Sequence, residues 1–373
     1  MTNFGRPQQT PTCHPSHPDV LEYFLPIEAK TAVSHLDAVV PVGEKSGPAL
    51  DGAPAGLSDL TEREAILAGL AAPAAHIAPK YFYDALGSHL FEAITELPEY
   101  YPTRTERAIF RDHAPAMAAA AGTGRTLIDL GAGNCEKAAG LFGTLRPAAY
   151  VAIDISADFL SASLCKLQGL HPDIPMQALA QDFSTGLALP ATVKASARLF
   201  FYPGSSLGNF TPTEALRMLQ DVRTQCGTDG ALLIGIDLVK EAKVLQAAYD
   251  DELGVTAAFN LNMLSHLNTL VGSNFKPREW RHHAEYNSAQ SRIEMHLEAR
   301  RALTVSWPGG GRDFAAGARI HTESSYKYRL DNFTRLLGEA GFGGVTAWTD
   351  ERCWFAVFLA SVTGAADCAA SPP

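Results

Sequence analysis

Pairing motifs for metal or disulfide chemistry are missing from this chain of 373 residues. Its six cysteines (Cys13, Cys135, Cys165, Cys226, Cys353 and Cys368) form no CxxC, so neither a disulfide framework nor a zinc cage is indicated. The twelve histidines form no HExxH or other ligand spacing, and no metal is expected. No apolar run reaches the ~18 residues that span a bilayer. The opening MTNFGRPQQTPTCHPSHPD lacks the basic-then-apolar order of a secretory signal, so a cytosolic protein is expected. Basic clusters are also lacking. With 40 acidic against 30 basic residues and a net charge of −10, nucleic acid and anionic membrane are not expected as main partners. What remains is ordinary for a globular enzyme: 46% hydrophobic, 19% charged, and long enough for one large or two medium domains. No internal repeat is visible, and a monomer is the expectation for oligomeric state.

Between Thr126 and Leu238 the chain alternates apolar runs of strand length with turns and helical stretches. TLIDLGAG, AYVAIDIS, MQALAQDF, RLFFYPGSS and GALLIGIDL read as five strands, apolar on both faces as in a parallel sheet covered by helices. Such alternation predicts right-handed βαβ units in a doubly wound sheet, with a ligand beyond the carboxyl ends of the strands. Upstream, SDLTEREAILAGL predicts a helix capped at Ser58 or Thr61, and ALGSHLFEAITEL a second. TERAIFRDHAPAMAAAAG predicts a third, capped at Thr105 and closing on Gly122. After Leu238 the alternation stops. A helical stretch (VLQAAYDDELGVTAAFNLNMLSHLNTLV) and strand-like runs up to Trp307 suggest an inserted lobe. DNFTRLLGEAG then resumes the first pattern, and GVTAWTD with CWFAVFLAS suggests an antiparallel pair at the sheet edge. A parallel sheet finished by a hairpin predicts the α/β class I methyltransferase fold, Rossmann-like with an antiparallel edge strand, rather than a dehydrogenase.

At the end of the first strand stand Asp129, Gly131 and Gly133, where glycines let the backbone approach a ligand closely. No third glycine completes GxGxxG, which weakens a pyrophosphate reading. Asp154 ends the second strand, where a carboxylate can take both ribose hydroxyls of an adenosine. Asp182 and Phe183 end the third, suited to an adenine amino group and a ring face. Acidic groups also suit a sulfonium such as S-adenosylmethionine. The alternative is that all are strand-end turn residues of a generic α/β protein.

KYFYDALGSHLFEAITELPEYYPTRTE, LGAGNCEK, GSSLGNFTP, DLVK, AYDDELGVTAAFNLN, RIEMHLEAR and TESSYKY occur in this order. Together they resemble the histidine-specific Nα-methyltransferases of ergothioneine biosynthesis, over roughly Ala78 to Ser361. The resemblance implies S-adenosylmethionine as co-substrate, L-histidine as substrate, and trimethylation to hercynine. Relatives acting on other amino acids, such as tryptophan or tyrosine, keep a second substrate open. It further implies that Gly131, Lys137, Asp154, Asp182 and Phe183 hold the methyl donor, with Asp129 and Gly133 in the same turn. Asn209 and Tyr249 are implied as ligands of the amino-acid backbone, with Gly204 beside Asn209. Tyr100, Glu323 and Ser325 are implied at the imidazole, Tyr83 near the methylated nitrogen, and Met295 in the side-chain pocket. Tyr83 and Asn209 are the implied catalytic pair. Cys135 stands where Ser or Thr is expected, and Ser156 where an acid is common. Residues 1–56 read as a partly disordered extension, 57–103 with 239–327 as a substrate lobe, and 104–238 with 328–373 as the methyl-donor domain.

Read as a strand, RIHTESSYKY turns Glu323 and Ser325 to one side and Thr322 and Ser324 to the other. A carboxylate and a hydroxyl on one face can satisfy both nitrogens of a flat heterocycle. The bland alternative is a solvated Glu and a turn Ser. Asn209 offers a donor and an acceptor to an amino acid's ammonium and carboxylate, or else simply caps the helix predicted at TPTEAL. Tyr249 could be packed core, and Tyr100-Tyr101 between Pro98 and Pro102 a packed aromatic corner. Methyl transfer itself needs approach geometry more than covalent help. Tyr83 is expected to orient the nitrogen, with no strong general base.

Overall fold

The computed structural model describes residues 58–362, with side chains from residue 62 onward. The expected N-terminal extension, and the capping side chains of Ser58 and Thr61, lie outside the described part. Three helices come first: α1 (Ser58–Ala71), α2 (Ala85–Thr95) and α3 (Tyr101–Ala121). Asp84 caps α2, its carboxylate accepting from Gly87 N at 2.7 Å. α3 does not wait for Thr105. Pro102 fixes φ in the first turn, where its missing N–H costs nothing, so the helix starts at Tyr101 and ends at Gly122.

The five expected strands are all present. β1 (Thr126–Leu130) is followed by the short helices α4 (Glu136–Ala139) and α5 (Phe142–Leu145). Then come β2 (Ala149–Asp154), α6 (Ala157–Leu170), β3 (Met176–Ala180), β4 (Arg198–Tyr202), α7 (Pro212–Gln225) and β5 (Ala231–Asp237). The inserted segment holds α8 (Ala242–Tyr249), α9 (Val255–Val271), β6 (Trp280–Asn287), β7 (Arg292–Ala299), β8 (Leu303–Trp307), β9 (Gly310–Phe314) and β10 (Arg319–Tyr326). The chain closes with α10 (Leu330–Glu339), β11 (Gly343–Thr349) and β12 (Phe355–Ser361).

The main sheet has the order β11-β12-β5-β4-β1-β2-β3. β1 to β5 are parallel, and β12 runs antiparallel between β5 and β11. This is the class I methyltransferase arrangement, with the expected hairpin at the edge and its antiparallel member one place in. β1, β4 and β5 are buried along their whole length, as sheets covered on both faces require. Neighbouring strands of β1 belong to opposite directions of winding, so a crevice opens at its carboxyl end.

The insert forms its own antiparallel sheet, β10-β7-β6, packed on α9 with Phe82, Phe259, Met263, Leu297 and Ile320 in its core. Its helical stretch is broken between α8 and α9. Asp251 turns back there to accept from Val255 N (3.0 Å) and Thr256 N (2.8 Å), capping α9. β6 escapes sequence reading because WRHHAEYN lacks β-branched residues. Among the described residues no helix is long and apolar enough to cross a membrane.

Candidate active site

Two sets of residues converge at the carboxyl ends of the parallel strands. The first is the turn after β1. Gly131 N and Ala132 N both donate to Ile153 O, at 2.9 and 3.0 Å, folding the turn back on β2. Gly131 has φ +72°, and a Cβ there would lie 3.9 Å from the Phe183 ring. The absent side chain leaves a slot between backbone and aromatic face. At the end of β2, Asp154 accepts from Gly133 N (2.9 Å) and Ser156 N (3.0 Å), each oxygen keeping a lone pair for a ligand. Asp182 accepts from Ser184 N at 3.1 Å and pairs with Lys80 at 3.0 Å, which ties the segment before α2 to the end of β3.

Asp129 is not with these groups. It lies beneath the turn, 2% exposed, bound by the Tyr150 hydroxyl at 2.7 Å. Burial pushes its carboxyl up to about 7, partly countered by that bond. Cys135 takes up a left-handed conformation (φ +63°) at the head of α4, buried, with its thiol pushed up to about 12 by burial. It is a packed thiol.

The second set surrounds a cavity. Tyr83, Tyr100, Gly204, Asn209, Tyr249, Met295, Glu323 and Ser325 all line it, joined by Phe91 and Phe259. Glu323 and Met295 face each other across the β10–β7 ladder. Thr322 and Ser324 bond elsewhere, to Met295 O (3.0 Å) and the His321 ring (2.9 Å). Glu323 is 8% exposed and finds no hydrogen-bond donor among the described residues. Burial pushes its carboxyl up to about 7, with Lys327 pulling the other way. Asn209 likewise has a free amide, since α7 is capped by Thr211 in a capping box with Glu214. Tyr83 sits edge-on to Phe91 and Phe259, at 5.7 and 5.8 Å between centroids. Burial raises its phenol well above the usual value, so it stays protonated at neutral pH.

Beneath the cavity lies a polar floor that sequence reading missed. Asp237, at the end of β5, accepts from Tyr101 (2.7 Å) and Lys327 (2.8 Å) and pairs with Lys240. Burial alone would raise its carboxyl; Lys327 and Lys240 hold it below the ordinary range. Lys240 is pushed down to about 8 by burial, against the pull of Asp237. Tyr249 is held from behind: its carbonyl accepts from His282 Nε2 at 2.8 Å, leaving Nδ1 to accept from Asn260 at 2.8 Å. Burial lowers the His282 pKa, consistent with this neutral ring.

Glu106 joins the two sets. One of its oxygens accepts from Lys137 at 2.8 Å, the other from Gly204 N at 2.7 Å. It is 1% exposed, and a Cβ on Gly235 would stand 2.1 Å from it. The only signals in the sequence were a lone Glu in a helix and a lone Gly in a strand. Gly204 has φ +80°, and its Cβ would meet the Lys137 ammonium at 3.1 Å. Gly204→Ala is therefore expected to destabilise the fold by about 1–2 kcal/mol in urea titration, from the left-handed backbone and the displaced lysine.

Away from the cavity, Glu285, Glu294 and His296 bring ligand-type atoms within 4.8 Å of one another. The two acids are already paired with Arg319 and Arg292.

The sequence pattern of the family described as histidine-specific, SAM-dependent methyltransferases matches residues 62–362. The chain belongs to this family. It is 39% identical to the histidine N-alpha-methyltransferase of Mycolicibacterium smegmatis, over 80% of this chain and 94% of that one. The enzyme of the same name from Mycobacterium tuberculosis is 37% identical, over 81% of this chain and 95% of its own. Ergothioneine biosynthesis protein 1 of Neurospora crassa is 30% identical over 72% of this chain, which spans only 31% of that longer protein. Membership of the family carries with it S-adenosylmethionine as the methyl donor.

Proposed function

We propose that the protein transfers methyl groups from S-adenosylmethionine to the α-nitrogen of L-histidine, ending at the trimethyl betaine hercynine. One observation carries the reading: a nearly buried Glu323 carboxylate, with no hydrogen-bond donor among the described residues, faces a cavity with Ser325, Asn209 and Tyr83. The names of the two mycobacterial relatives support the substrate, and that of the Neurospora protein a place in ergothioneine biosynthesis.

The slot between Gly131 and Phe183 and the free lone pairs of Asp154 fit an adenosine, so Gly131, Gly133, Asp154, Asp182 and Phe183 are the residues that would hold the donor. Lys137 would act through Glu106, linking that turn to Gly204. Asp129 supports the turn from below. The donor supplies an electrophilic methyl on a sulfonium. The remaining work belongs to the protein: Asn209 and Tyr249 hold ammonium and carboxylate, Tyr100 closes the pocket, and Glu323 accepts from a ring N–H. Tyr83, kept protonated by burial, orients the nitrogen without acting as a base. The rings of Tyr83, Phe91 and Phe259 offer π faces to the growing cation. Residues 57–103 with 239–327 would form the substrate lobe, a division supported by the separate apolar core of the insert.

An indole has one ring N–H and no ring lone pair, so it would leave Ser325 unmatched, which supports histidine over tryptophan. The test is incubation with S-adenosylmethionine and an amino-acid panel, followed by mass spectrometry. Histidine should gain about 14, 28 and 42 Da as CH₂ groups are added. Methylation of another amino acid, with histidine untouched, would overturn the reading. Tyr83→Phe should shift the rate or the mono-, di- and trimethyl distribution while donor affinity stays within about twofold; unchanged product ratios and kinetics would remove Tyr83 from the mechanism.

A further inference from the structure

The ammonium of Lys327 is fully buried and touches three oxygens: Asp237 Oδ2 at 2.8 Å, Tyr249 OH at 2.9 Å and Ser325 Oγ at 2.8 Å. It has three N–H donors and no acceptor, so each proton has one partner and none is left over. A fourth bond ties the hydroxyls together, Tyr249 donating to Ser325 at 2.8 Å. The proton count then closes. Ser325 Oγ spends both lone pairs, one on Lys327 and one on Tyr249. Its own proton has no acceptor among these groups and is left for the cavity that Ser325 lines.

We propose that Lys327 is a positioning residue: with Tyr249 it makes Ser325 a hydrogen-bond donor only, so that the site takes the neutral imidazole ring and rejects imidazolium. The inference rests on the histidine reading above and deepens it. A neutral ring has one N–H and one lone pair, matching an ionised Glu323 on one side and a donating Ser325 on the other. An imidazolium has two N–H groups, and the second would meet the Ser325 proton head-on. Asp237 is the anchor. It fixes the ammonium from below, so the ammonium cannot turn to expose a different donor pattern. Without Lys327, Ser325 regains a lone pair and can accept as well as donate.

The charged and titratable groups around this cluster are Glu323 on β10, Asp237 on β5, Lys240 and Tyr101 behind it, Tyr249 on α8, and Tyr83 and Tyr100 on the facing segments. Among the described residues no histidine lines the cavity, and only the substrate carries the ring label, so the labelled ring signal belongs to the substrate.

The experiment is nitrogen-15 NMR of ring-labelled L-histidine bound to the wild-type protein at pH 5.5, where free histidine is mostly imidazolium. One N–H and one bare nitrogen in the bound ring are expected. Two N–H nitrogens would overturn the proposal. Failure of histidine to bind at any pH from 5.5 to 8 would instead strike the histidine reading itself. In Lys327→Met the bound ring should become imidazolium at pH 5.5, and histidine affinity at pH 8 should fall at least 10-fold while S-adenosylmethionine affinity stays within about twofold. A bound ring that stays neutral in a folded Lys327→Met would show that the lysine is not responsible. If that variant does not fold, Tyr249→Phe serves, since it removes the other donor to Ser325 and should give a mixed ring signal; a purely neutral ring there counts against the proposal.

Discussion

Glu323→Ala is expected to lower kcat/KM for L-histidine roughly 100-fold, about 2.7 kcal/mol, while S-adenosylmethionine affinity stays within about twofold. The carboxylate is 8% exposed and has no donor among the described residues, so its hydrogen-bonding capacity is spent when a ring N–H arrives. Removing it leaves that N–H stranded in a cavity walled by Met295, Phe91 and Phe259, a cost larger than that of a neutral hydrogen bond. Steady-state kinetics with calorimetry separates the two ligands, and an equal loss for both would mean collapse of the site rather than loss of recognition. The pH dependence has a definite sign. The acceptor form of Glu323 is the ionised one, and burial raises its pKa to about 7. Histidine affinity should therefore strengthen as pH rises through about 7 and weaken below it, the opposite of a site that binds imidazolium. Binding, not rate, is the quantity to measure, because deprotonation of the α-amine also enters the rate.

Asp237→Ala is expected to have the largest effect on stability, a loss of about 3–5 kcal/mol. Asp237 is 1% exposed, and Lys240 and Lys327 at 3% and 0% side-chain exposure both depend on it. Truncation would bury two ammonium groups against no carboxylate and free the Tyr101 hydroxyl. An unfolding midpoint lower by on the order of 10 °C is the corresponding reading by calorimetry. An unchanged midpoint would mean that water reaches the lysines. The Arg335–Glu339 pair on α10 is the contrast: at 2.7 Å its geometry is as good, yet its side chains are 67% and 45% exposed. Breaking it should cost no more than about 0.5 kcal/mol, because solvent already screens both charges.

Several local patterns either left two roles open or pointed to the wrong one, for one physical reason. The sequence pattern puts a cap at Thr105; Pro102 starts α3 earlier by fixing φ in the first turn. Asn209 had a capping alternative that Thr211 removed by closing a box with Glu214. Asp129 stood in line with the glycines of the turn, but the strand pleat carries its side chain under the turn to Tyr150. In each case the local pattern was real, and a neighbour a few residues away decided which of two allowed roles it took.

What the amino-acid order by itself determined is what repeats at short period: five parallel strands, the closing hairpin, the glycine turn after β1, and the shared face of Glu323 and Ser325 on β10. These follow from backbone stereochemistry and the two-residue pleat, which act over a few residues. Only the tertiary structure decided the support beneath them. Glu106 reaches Gly204 across 98 residues, Tyr101 reaches Asp237 across 136, and Lys327 meets Tyr249 across 78. A lone Glu, Tyr or Lys carries no periodic signal. Its role comes from burial next to an opposite charge or a hydroxyl, and burial is a property of the packed chain.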